Sequence, residues 1–106
     1  MGRDIDVKAK VTKESVLDYI AKHKGELRQR FGVKAIGLFG SFARGDASDG
    51  SDIDVVVELE RPDLFDLIGV KQTLEEAFGR KVEVIRLRET MNVSLKHRIQ
   101  RDAVYV

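Results

Sequence analysis

The chain has 106 residues, a length for one domain with one real core and no room for a second. A hydrophobic share of 42% beside 35% charged residues excludes a disordered tail, and a net charge of +1 excludes a generic nucleic-acid sponge, so no direct nucleic-acid contact is expected. The absence of cysteine excludes disulfide and thiol chemistry and fits a cytoplasmic setting, while no signal-peptide pattern and no apolar run near the roughly eighteen residues that span a bilayer point to a membrane.

Taken in chain order, residues 1–11 form a first unit. Ile5, Val7, Ala9 and Val11 alternate with Asp4, Asp6, Lys8 and Lys10, the period-2 pattern of a strand or extended arm. An exposed terminal strand can be paired by another subunit, so a homodimer is an expectation. Residues 12–106 read as one α/β domain, a small mixed sheet flanked by helices on one side. Thr12 is placed to cap a helix running to about Phe31, with Val16, Ile20, Leu27 and Phe31 at helical spacing and Gly32 at the stop. Lys34 to Phe39 reads as a strand buried on both faces, followed at once by a Gly40-Ser41 turn that opens a short helix through Ala43 and Arg44.

Ile53 to Glu58 is the next strand, with Ile53, Val55 and Val57 on one face and Asp54, Val56 and Glu58 on the other. Pro62 closes it, and Asp63 with Asp66 resembles a capping pair. The helix that follows is expected to turn Leu64, Leu67, Ile68, Leu74 and Phe78 inward and to stop at Gly79. Lys81 to Leu87 gives a third strand, about Asn92 to Gln100 a short helix, and Ala103 to Val106 a terminal segment.

Charge is segregated along this framework. From Asp46 to Asp66 there are eight acids against one base, Arg61; from Arg80 to Arg101 there are seven Lys and Arg against two acids, Glu83 and Glu89. The acidic block suits cation binding. The basic block can face a triphosphate, an acidic partner or plain solvent.

The residues that carry chemistry lie where these features meet. Asp52 and Asp54, two residues apart at a strand entrance, point to one face, and two like charges this close are costly without a cation or a proton between them. Alone, such a pair is more often a solvated turn or strand end. Here Asp54 stands between apolar neighbours in a buried-looking strand, and a charge placed there needs a partner. Glu83 interrupts another apolar strand in the same way, which suggests a third carboxylate that ligates a metal or accepts a proton, unless it lies on an edge strand and points to water. The small residues of the Gly40-Ser41 turn leave backbone N–H groups free to approach a phosphate.

Gly40-Ser41, ten intervening residues and Asp52-Ile53-Asp54 resemble the signature of the DNA polymerase β-like nucleotidyltransferase superfamily. The longer strings Gly40-Ser41-Phe42-Ala43-Arg44-Gly45 and Ser51-Asp52-Ile53-Asp54 are similar to its minimal nucleotidyltransferase branch. The resemblance implies that Gly40 and Ser41 hold ATP, that Asp52 and Asp54 bind two Mg²⁺ ions, and that Arg44 either contacts phosphate or anchors its loop to an acid. Glu83 stands where members usually carry a third Asp, and its extra methylene is expected to spare metal binding while turnover suffers. The resemblance further implies an antitoxin that transfers AMP from ATP to a tyrosine of a HEPN-domain ribonuclease toxin encoded nearby. Two alternatives remain: a catalytically weak module that neutralises its partner by contact, and a small-molecule nucleotidyltransferase.

Overall fold

In the structure, a computed structural model describing residues 11–48 and 50–106, Thr12 caps the first helix reciprocally. Its hydroxyl accepts from Ser15 N at 3.1 Å, and Ser15 Oγ accepts from Thr12 N at 2.8 Å. Helix α1 (Lys13–Phe31) then buries Val16, Ile20 and Leu27 and ends at Gly32, whose left-handed φ of 69° lets its N–H reach Arg28 O. The strand expected at Ile5, Val7 and Ala9 lies outside the described residues, and with it any pairing by a second subunit.

Strand β1 (Val33–Phe39) runs into the short helix α2 (Gly40–Arg44), and β2 (Ile53–Leu59) returns antiparallel beside it. Helix α3 (Leu64–Phe78) crosses back to β3 (Val82–Arg86), which lies parallel to β2. Helix α4 (Val93–Asp102) and β4 (Val104–Tyr105) finish the chain, with β4 antiparallel to β1. The four-stranded mixed sheet has the order β3-β2-β1-β4.

Alternation along the strands divides the core between two faces. Ile36, Leu38, Ile53, Val55, Val57 and Val82 pack with Val16, Ile20 and Leu27 of α1 and with Val70 and Leu74 of α3. Phe39, Val56 and Ile85 point the other way and meet Leu95 and Ile99 of α4. The two long helices thus share one side, as expected, and α4 lies across part of the opposite face, where it borders the site.

Two details of α3 differ from the sequence reading. Leu64 and Ile68, expected inside, are 67% and 40% exposed, and of α3 only Val70 and Leu74 are fully buried. Asp63 caps the helix by accepting from Phe65 N at 2.8 Å, but no reciprocal bond from Asp66 forms among the described residues: an aspartate is one methylene short of the usual glutamate. No helix among the described residues is long and apolar enough to cross a membrane.

Candidate active site

The site is built where β1 ends and β2 begins. Phe39 and Asp54 are direct partners across these two antiparallel strands, and Asp54 is in register with Glu83 across the parallel pair β2–β3. Register partners share a face, so Phe39, Asp54 and Glu83 line one side of the sheet, the side that α4 partly covers. Asp52 stands just ahead of β2, one pleat before Asp54.

Gly40 is the hinge of this arrangement. Its φ is +75°, a conformation that side-chain-bearing residues rarely take, and a Cβ built on it would collide with Asp54 Oδ2 and lie 3.1 Å from Asp54 Cγ. Glycine is therefore needed twice over: for the sharp exit from β1, and for room beside the carboxylate. Ser41 follows at the start of α2, and its carbonyl accepts from Gly45 N and Asp46 N, both at 3.0 Å, which folds the turn back on itself.

Electrostatics single out Asp54. Burial pushes its carboxyl above the ordinary value of 3.8, and the negative charges of Glu83 and then Asp52 push the same way, against Arg98 and Arg44 pulling it down. Among the described residues its carboxylate takes no hydrogen bond and no ion pair. A half-buried acid held among like charges is a donor set with a surplus of negative charge, and such a set suits a divalent cation. Of the expected metal ligands, Asp54 and Glu83 are register neighbours and Asp52 lies one pleat ahead of Asp54. Among the described residues no three acidic or histidine side chains converge enough to hold an ion alone. A Mg²⁺ ion here would take one or two carboxylates and complete its shell from phosphate and water. Glu83 combines both readings open to it: exposed on the edge strand β3, yet beside Asp54.

Arg44 takes the anchoring role of the two left open. Its Nε donates to Asp46 at 3.2 Å and its Nη1 to Asp102 at 2.8 Å. Asp102, whose side chain is only 4% exposed, also accepts from Arg101, and these guanidinium bonds, Arg101 first, hold its carboxyl below the ordinary range. The Gly-Ser helix is thereby tied to the end of α4.

The sequence reading missed three residues that shape the site: Asp102, Arg80 and Arg98. Arg80 donates to the carbonyls of Ser51 at 2.7 Å and Ser48 at 3.3 Å, and its guanidinium lies 5.3 Å from the Phe42 ring centroid. It pins the loop that delivers Asp52. Arg80→Ala is expected to lower the rate of nucleotidyl transfer roughly ten- to a hundredfold through misplacement of Asp52, with increased proteolytic cleavage in the 46–52 loop as the independent readout. Membership of the basic block was the only signal available for Arg80 and Arg98.

Residues 20–106 match the nucleotidyltransferase domain family. The chain is 36% identical to the protein adenylyltransferase MntA of Thermococcus cleftensis over 92% of its own length and 99% of that protein's. Among solved structures, a candidate minimal nucleotidyltransferase superposes with a TM-score of 0.72 at 29% identity, covering 91% of this chain and 97% of that one. A chain from the complex of the tri-AMPylated Shewanella oneidensis HEPN toxin with its MNT antitoxin shares the fold, with a TM-score of 0.63 at 20% identity over 89% of this chain and 71% of that one. With the Gly-Ser turn set against Asp54 at one sheet end, the chain belongs to the nucleotidyltransferase domain family and is a nucleotidyltransferase.

Proposed function

We propose that the chain is a protein adenylyltransferase antitoxin: it moves AMP from ATP to a tyrosine hydroxyl of a HEPN ribonuclease toxin and so neutralises it. The observation that carries the nucleotide chemistry is Asp54, half-buried, without a protein partner among the described residues, and flanked by Gly40, Asp52 and Glu83. The choice of a protein acceptor rests on the near-full-length similarity to an MntA adenylyltransferase; the shared fold with a chain of a toxin–antitoxin complex is consistent with it.

Gly40 and Ser41 receive the triphosphate, and Arg44 holds their helix in place from Asp102. The acceptor oxygen bonds to the α-phosphorus, the bond from that phosphorus to the bridging oxygen breaks, and pyrophosphate leaves. The hydroxyl proton passes to a carboxylate, for which exposed Glu83 is best reached from solvent. Asp52 and Asp54, with Glu83 beside them, would hold two Mg²⁺ ions. Those ions, when bound, supply the positive charge that stabilises the attacking and leaving oxygens.

The test is incubation with α-labelled ATP, Mg²⁺ and the product of the neighbouring gene. Label on the partner's tyrosine, absent with Asp52→Asn, is the expected result. Glu83→Asp is expected to raise the rate several-fold and Glu83→Gln to lower it roughly a hundredfold. Tight binding without label would favour the second reading, a module that neutralises by contact, which the lengthened side chain of Glu83 specifically suggests. Label on neither the partner nor any other hydroxyl, with no nucleotide bound at millimolar concentration, would overturn the proposal.

A further inference from the structure

Helix α4 lies on the sheet face that carries Asp54, with Ile99 packed among Phe39 and Val56. Arg98 precedes Ile99 and is exposed, and its guanidinium carbon lies 5.9 Å from the centroid of the Phe39 ring. Phe39 has two relevant neighbours: Asp54 directly across the strand pair, and Gly40 next in the chain, where the turn begins. The guanidinium thus lies over the ring of a residue that adjoins both Asp54 and the Gly-Ser turn. Its charge is felt at Asp54, where it is the strongest influence favouring the ionised form.

Arg98 also differs from the three arginines already placed around the turn and its loop. Arg44 is occupied by Asp46 and Asp102, Arg101 by Asp102, and Arg80 by the carbonyls of Ser48 and Ser51. Among the described residues Arg98 has no carboxylate within ion-pair distance; it rests against an aromatic ring and leaves its donors open. A guanidinium is a planar fork matched to phosphate oxygens, and this one lies within cation–aromatic range of Phe39.

We propose that Arg98 is a nucleotide-binding residue that grips the pyrophosphate portion of the bound nucleoside triphosphate. The inference rests on the nucleotidyltransferase site described above and names a ligand-contacting side chain outside its Gly-Ser and Asp-Ile-Asp elements. The pyrophosphate portion carries most of the negative charge, and the Gly40-Ser41 turn, with its small residues, gives it room directly beside Phe39. Through this contact Arg98 offsets the charge that builds on the leaving group as the α-phosphorus bond breaks.

Calorimetric titration of the full chain with a non-hydrolysable ATP analogue and, separately, with AMP tests this, in MgCl₂ and in EDTA. Arg98→Ala is expected to weaken the ATP analogue roughly ten- to a hundredfold, the effect of losing a charge-assisted contact, and to change AMP binding less than threefold. Arg98→Lys, which keeps the charge and loses the fork, is expected to fall between. Both variants should keep the thermal midpoint of the unaltered chain within a few degrees, since an exposed cation–aromatic contact contributes little. Unchanged affinity for the analogue would overturn the assignment, as would equal losses for analogue and AMP, or a loss confined to binding of the acceptor protein. Failure of the unaltered chain to bind either nucleotide would overturn the reading of the site as a whole, an outcome distinct from a failure confined to Arg98.

Discussion

Asp54→Asn should abolish nucleotidyl transfer and make the ligand-free protein more stable. In the folded chain burial, Glu83 and Asp52 together lift the Asp54 carboxyl above 3.8, so its ionised form is worse off folded than unfolded. The sign follows directly. A carboxylate with a raised folded value costs stability at any pH above that value, and the cost fades as pH falls through it toward 3.8. Asparagine keeps the shape and removes the charge. The variant should therefore melt a few degrees higher at pH 7, and its advantage should narrow as the pH is lowered toward 4. Asp102 has the opposite sign, its lowered carboxyl contributing stability that is lost in acid, but it is common to both proteins and cancels in the comparison. Transfer should fall at least a hundredfold, the order of loss when one preorganised charge at a reacting centre is removed. Adding MgCl₂ with an ATP analogue should raise the midpoint of the unaltered chain, by mass action, and leave the variant nearly unmoved. Equal stability of the two proteins at pH 7, or retained transfer by the variant, would sink this account. A stability gain bought by loss of activity is the usual mark of a residue kept for function.

Much of this architecture was legible from local patterns. The Thr12 cap, the Gly32 stop, the alternation of β2 and the turn after Phe39 depend on interactions within a few residues, and each appears as the sequence indicates. The carboxyl at Asp54 was legible for another reason: an acid among valines contradicts its own strand pattern, and such contradictions gather at functional sites. What local pattern could not supply was register and reach. That Glu83 faces Asp54 across the sheet followed from its break in an apolar strand, but the exact register rests on the parallel pairing of β2 with β3. The tie between Arg44 and Asp102 spans 58 positions, so neither residue advertises the other. The apolar spacing of α3 identified a face but not how much of it is covered, and Leu64 and Ile68 stay exposed. The basic block looked like a unit in sequence. In three dimensions three of its seven cations part company: a loop pin at Arg80, an anchor at Arg101 and an open guanidinium at Arg98.

Gly40→Ala should damage stability and activity together, and the two causes can be separated. At φ +75° an alanine pays roughly 1–2 kcal/mol for left-handed backbone. Gly79, with φ 64° and no heavy atom within 4 Å of its missing Cβ, isolates that cost at the end of α3: Gly79→Ala should lower stability by about this amount and leave transfer intact. Gly40→Ala should cost distinctly more, because its methyl drives into the Asp54 carboxylate. Relief requires that Asp54 rotate or that β1 and β2 shift, and buried Val55 on one face with Phe39 and Val56 on the other oppose the shift. Rotation of Asp54 is the cheaper response, and it removes the carboxylate from the place where a metal and a phosphate would meet it. Transfer should consequently fall about as far as in Asp54→Asn. Placing Gly40→Ala in an Asp54→Ala background deletes the carboxylate that the methyl strikes, so in that background the added cost should shrink toward the Gly79→Ala value. Urea unfolding of the four proteins in this cycle gives the coupling energy. A coupling near zero would mean that Gly40 is required by the backbone alone, and a Gly40→Ala protein with full activity would remove the close approach of turn and carboxylate from the chemistry altogether.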